Sequence, residues 1–193
     1  RLLALDKLTG EPMWWAAPGG DPNDPTCYAT PVVAVIGGRR LLIAPNGDGQ
    51  VYGMDARTGE RVWNFLLSKR GLNSTPVVEG NRVYVGQSEE NPDTTEMGSV
   101  VCIDGSKTGD LTQSGLLWRV DGLELGFSSP AIANGRLYVV DNGANLYALD
   151  AEGKLDPSFG EGGSVSMAAL GLEGFSLRSL ASLSGGGVVA AGA

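Results

Sequence analysis

The chain has 193 residues, 42% of them hydrophobic, with 30 glycines, 10 prolines, no histidine and a formal net charge of −8. This length supports one substantial core, and the composition fits an all-β protein rich in turns rather than a disordered one. The charge argues against nucleic acid or anionic lipid as a partner, no apolar run is long enough to span a bilayer, and the lack of histidine excludes Ser-His-Asp and zinc-histidine chemistry within the chain.

In chain order, residues 2–15 read as two strands around the turn Asp6-Lys7-Leu8-Thr9-Gly10. Arg1 falls inside that strand pattern with no leader ahead of it, so the expectation is a piece of a longer chain. Residues 16–28, with Gly19-Gly20-Asp21-Pro22-Asn23-Asp24-Pro25, read as a surface loop whose oxygen ligands lack regular calcium spacing.

Three longer units follow, over residues 29–67, 74–120 and 128–168. Each opens with a hydroxyl residue and a proline, Thr30-Pro31, Thr75-Pro76 and Ser129-Pro130, at the first residue of a strand, where proline gives up no interior ladder bond. Two-residue turns, Gly37-Gly38, Gly80-Asn81 and Asn134-Gly135, lead into each second strand. The turns before the third strands are compact in the outer units. In the middle unit that turn is swollen over residues 87–97 and carries Glu89, Glu90, Asp93 and Glu96. These are weak candidates for a cation or partner contact, and a solvated acidic insertion is the plainer reading.

The third and fourth strands carry the repeat itself, best seen in residues 50–63, QVYGMDARTGERVW. Its aspartate recurs as Asp6, Asp55, Asp104 and Asp150, at spacings of 49, 49 and 46 residues. A small residue stands two places earlier each time: Ala4, Gly53, Cys102, Ala148. Thr9-Gly10, Thr58-Gly59 and, one place later, Thr108-Gly109 follow the aspartate, and Trp14, Trp63 and a displaced Trp118 close the unit. The aspartate accepts amide hydrogen bonds two residues on, and the glycine takes the positive φ of a tight hairpin. A single sheet this small cannot cover both its faces, so copies must stack on one another.

The A-x-D-x-x-T-G-x-x-x-W pattern, met at Ala4, Asp6, Thr9, Gly10 and Trp14 and again from Gly53 to Trp63, resembles the tryptophan-docking motif of PQQ-like β-propeller repeats. That family includes quinoprotein dehydrogenases and non-catalytic BamB-type proteins. The resemblance implies four-stranded antiparallel blades, with Trp14 and Trp63 packed against the neighbouring blade. It spans roughly residues 2–150. Residues 154–163 also resemble a second short propeller repeat, L-D-x-S-F-G-x-G-G.

After residue 163, a strand over 164–168 and a strand pair over 177–183 and 188–191 are expected, with a helical turn as an alternative within 167–183. The whole reads as one propeller segment, with half blades at 1–15 and 177–193. It is an open arc or part of a seven- or eight-bladed ring; alternatively the two half blades pair and close a four-bladed ring. Cys27 and Cys102 are expected as free thiols, Cys102 serving as small apolar filler.

The resemblance implies a non-catalytic scaffold in a periplasmic or extracellular protein, presenting loops and blade edges to other proteins and holding no cofactor. The alternative is a segment of a quinoprotein dehydrogenase, with PQQ and Ca²⁺ on the propeller axis. That family places PQQ between a tryptophan floor and a ring of vicinal cysteines. This sequence has no Cys-Cys pair, and among its tryptophans Trp15 alone lacks a docking-motif position.

Overall fold

A computed structural model describes residues 1–20, 27–172, 174, 177–183 and 187–192. Most of the 16–28 loop's Gly-Asp-Pro-Asn core (residues 21–26) and the turn at 184–186 lie outside the described residues. Strands β1 (Leu2–Leu5) and β2 (Pro12–Ala16) form a leading pair. The first blade holds β3 (Val32–Ile36), β4 (Arg39–Pro45), β5 (Gln50–Asp55) and β6 (Arg61–Leu66). The middle blade holds β7 (Val77–Glu79), β8 (Arg82–Glu90), β9 (Met97–Asp104) and β11 (Leu116–Asp121), with a short β10 (Gly109–Asp110) before its last strand. The third blade holds β12 (Ala131–Ala133), β13 (Arg136–Val140), β14 (Asn145–Leu149) and β15 (Ser164–Ser166). A 3₁₀ turn at Ala168–Leu170 and a trailing pair, β16 (Leu177–Ser182) and β17 (Val188–Gly192), complete the described chain.

Each blade is an antiparallel meander, and sequential strands are neighbours. The leading and trailing pairs form separate two-stranded sheets, so the composite blade that would close a four-bladed ring is not made: the blades form an open arc. The expected strand and the helical turn after residue 163 both occur, one after the other.

Alternation along each strand sends side chains to opposite faces, and the two faces of a blade serve two different joints. On β8, Val83 and Val85 enter the core shared with the first blade, alongside Ile43, Trp63 and Phe65, while Tyr84 enters the core shared with the third. On β9, Val101 and Ile103 go one way and Val100 and Cys102 the other. Strand β13 repeats the sorting, with Leu137 and Val139 facing the middle blade and Tyr138 and Val140 the trailing pair. This is why β9 is buried on both faces along almost its whole length, whereas β1, with one neighbour, is half exposed.

The small-residue column has a geometric cause. Ala4 pairs across the ladder with Trp14, Gly53 with Trp63 and Cys102 with Trp118, so each motif indole lies across its small partner. A Cβ on Gly53 would stand 2.1 Å from the Trp63 ring. Burial pushes the Cys102 thiol up to about 11, and both cysteines are free thiols.

The third copy departs from the expected hairpin. In the first two, the amide of Asp6 or Asp55 bonds the carbonyl of Glu11 or Glu60 five residues on. For Asp104 the partner is the Gly115 carbonyl, and the residues between make an excursion. Thr108-Gly109 therefore does not close the turn. Gly109 and Asp110 instead pair, parallel, with Trp63 and Asn64 of β6, adding a fifth strand to the first blade's sheet. Leu111 then enters the joint fully buried, and the Leu66 amide donates to Thr112 Oγ1 at 3.1 Å.

Candidate functional site

An up-and-down meander puts two kinds of connection at opposite ends of every blade. Turns between first and second strands, and between third and fourth, share one end. Turns between second and third strands, and the connections between blades, share the other, here called the loop end.

The turn end holds the repeat motif. Asp6 Oδ1 accepts from the amides of Leu8 and Thr9, and Asp55 Oδ1 from those of Arg57 and Thr58. Those amides hold both carboxyls below the usual range. Asp104 accepts from Ser106, and Asp150 from Glu152 and Lys154. Gly10, Gly59 and Gly153 take positive φ there.

Two of these turns, those of Asp55 and Asp150, also seat the tryptophan of the preceding unit. Trp14 Nε1 donates to Ala56 O at 3.2 Å with its ring over Gly59, and Trp118 Nε1 donates to Ala151 O at 3.0 Å with its ring over Gly153. Trp63 is buried in the next joint, but its N–H finds no acceptor among the described residues.

The loop end carries the swollen hairpin of the middle blade. Strands β8 and β9 run further than the sequence suggested, with Gln87 paired to Ser99 and Glu90 to Met97 across a register shift, and the turn proper is residues 91–96. Its pivot is Asn91, fully buried. Asn91 Nδ2 donates to Glu96 O at 2.9 Å and to Gly98 O at 3.1 Å, while its Oδ1 accepts from Gln87 Nε2 at 2.7 Å. Gln87, itself 2% exposed, also donates to Ser99 Oγ. Buried amide side chains satisfied this fully give a loop one conformation.

The four acidic candidates divide. Glu90 pairs with Arg70 at 2.8 Å, and the guanidinium holds its carboxyl below the usual range. Asp93 pairs with Arg119 Nη1 at 2.7 Å, and Arg119 Nε reaches Asp121. The Glu89 amide donates to Gln87 Oε1, and Glu96 supplies its backbone carbonyl to Asn91. Among the described residues no three Asp, Glu, Cys or His side chains gather as a metal-binding group.

Two aspartates, Asp48 buried and Asp141 half-buried, brace the other turns of this end. Tyr52 Oη donates to Asp48 Oδ2 at 2.6 Å, and Tyr147 Oη to Asp141 Oδ2 at 2.9 Å; burial and that bond push the Tyr147 phenol up to about 12. Burial likewise raises the Cys27 thiol, so neither cysteine nor either of these phenols ionises near neutral pH. What the loop end offers is a fixed, acid-rimmed surface.

The blade-opening hydroxyls have a role that the sequence left unassigned. The Thr30 amide donates to Thr75 Oγ1 at 3.0 Å and the Thr75 amide to Ser129 Oγ at 3.1 Å, a relay across all three blades. The 45- and 54-residue separations show why no local pattern revealed it.

A family model described as outer membrane protein assembly factor BamB matches residues 1–110 and again 47–191. Tetrathionate hydrolase of Acidithiobacillus ferrooxidans is 24% identical over 123 residues, covering 58% of this chain and 25% of that protein. Among solved structures, BamB from Moraxella catarrhalis aligns with 98% of this chain and 60% of its own, at 15% identity and a TM-score of 0.47. A quinohemoprotein alcohol dehydrogenase of Pseudomonas putida HK5 aligns with 72% of this chain and 19% of its own, at 21% identity and a TM-score of 0.42. The chain thus spans from under a fifth to three fifths of the lengths of these proteins.

Proposed function

Starting from the chain's membership of the BamB family of PQQ-like β-propellers, we propose that it is a non-catalytic propeller module, acting outside the cytoplasm as a scaffold that holds other proteins at its loop end. The observation that carries this reading is the middle-blade hairpin: a projecting turn, acidic outside, immobilised from within by Gln87, Asn91 and Ser99. A surface set in advance loses little conformational entropy when a partner arrives. No helix among the described residues is long and apolar enough to cross a membrane.

The family's dehydrogenase members give a second reading, a segment bearing PQQ and Ca²⁺. Against it stand the commitments of the tryptophans: Trp14 and Trp118 are bonded to neighbouring turns, Trp63 lies inside a joint, and Trp15 is exposed on the outer strand β2. One experiment separates the two. The immobilised chain should retain specific envelope proteins, and Gly/Ser replacement of residues 94–96, which leaves the Asp93–Arg119 pair in place, should release them without changing the melting temperature. Titration with PQQ and Ca²⁺ should leave absorbance and melting temperature unchanged; a shift in either would favour the dehydrogenase reading.

A further inference from the structure

Two large rings stand exposed at the loop end, where a folded chain would ordinarily cover them. Tyr28 is 67% and Phe127 62% exposed, and they meet edge to face at 5.6 Å between centroids. Each lies two residues before a blade-opening hydroxyl, Thr30 or Ser129, and Asn73 holds the same place before Thr75. Side chains from blades that are not neighbours can touch only where blades converge. The pair therefore marks the inner rim of the arc, beside the hydroxyl relay.

The backbone that carries the rings is held in place. The Tyr28 amide donates to Asn73 Oδ1 at 3.0 Å. Next to Phe127, the Ser128 hydroxyl lies 2.7 Å from both Leu125 O and Val140 O and gives its one proton to either, and Gly126 takes positive φ against Asn142. Fixed, exposed aromatic surface is what interface hot spots are made of.

Charge selects the occupant. Two arginines of this end are already engaged, Arg70 with Glu90 and Arg119 with Asp93 and Asp121. Glu124, exposed on the connection that carries Phe127, accepts from the Asn142 amide at 3.4 Å. A ring face attracts a cation, a nearby carboxylate attracts it further, and the long stem of lysine or arginine packs along aromatic carbon. The same carboxylates repel an anionic ligand.

Resting on the scaffold reading, we infer that the Tyr28–Phe127 pair with Glu124 receives an extended segment of a partner protein bearing lysine or arginine. The test is fluorescence anisotropy of a labelled Lys/Arg-rich peptide against the whole chain, with a Glu-rich peptide and PQQ as comparison probes. The basic peptide should bind more tightly as salt is lowered. The Tyr28→Ser/Phe127→Ser double variant should lose about tenfold in affinity and Glu124→Gln about threefold. Melting temperature should hold in both variants, since all three side chains are exposed.

An affinity unchanged in the double variant, or equal binding of the acidic peptide or PQQ, overturns the inference. Retention of envelope proteins, measured in parallel, keeps the two readings apart. If wild type and double variant retain them equally, the aromatic site falls and the scaffold reading stands. If the wild type retains none, both fall.

Discussion

The joint between first and middle blades is built differently from the two joints on either side of the repeat motif. Trp14 and Trp118 each lock a joint by an indole N–H bonded to the next blade's turn, with the ring lying on a glycine. Trp63 makes no such bond. The Asp104 turn that should receive it closes on Gly115 rather than five residues on, and the chain between leaves to become β10, pairing alongside Trp63 and burying Leu111. One joint adds an extra strand and a fully buried indole to its core, the others a directed hydrogen bond from a partly exposed indole. A repeat can thus lose one device and remain a blade, provided the interface is filled some other way.

The largest effect that would sharpen this contrast is Trp63→Ala. Emptying a fully buried indole site costs about 3–5 kcal/mol, whereas Trp14→Ala, at a half-buried site, should cost clearly less; urea denaturation measures both. Equal losses would mean that burial does not distinguish the joints. Next in size is Trp118→Phe, which removes a hydrogen bond worth about 0.5–1.5 kcal/mol on top of its lost volume. Trp63→Phe loses no bond and removes an unpaired buried donor, so by denaturation it should be the milder of the two.

The smallest effect is in pH. Asp6 and Asp55 titrate below their ordinary value because Thr9 and Leu8, and Arg57 and Thr58, donate amides to them. An unfolded aspartate titrates near 3.9, so the stabilisation is complete above about pH 4 and is lost as pH falls through the lower folded values. The melting temperature should drop on acidification below about pH 4. Asp55→Asn should start lower at neutral pH and fall less steeply. A parallel fall in both proteins would show that the turn amides do not hold the carboxylate.

Much of this was legible in the sequence because it is local. The turn residues, the alternation along the strands and the tryptophan spacing all act within one hairpin. The small column before each aspartate was visible too, although its cause, a cross-strand indole, was not. What escaped was non-local. Gly109-Asp110 reads as a turn until Trp63 and Asn64, 46 residues back, supply its partners. Gln87–Glu90 reads as an acidic loop because nothing nearby announces that Gln87 and Asn91 will be buried together. Tyr28 and Phe127 stand 99 residues apart, and only the convergence of the blades brings them into contact.

The relay from Thr30 through Thr75 to Ser129 gives the arc a grain. The middle blade offers its hydroxyl to the neighbour on one side and its amide to the neighbour on the other, so in this relay the two seams have the same donor and acceptor faces. An in-frame duplication of one unit would slot in with both seams already matched, while a reversed unit would find neither. Growth of such a protein by copying needs no new interface, only another turn of the same stitch.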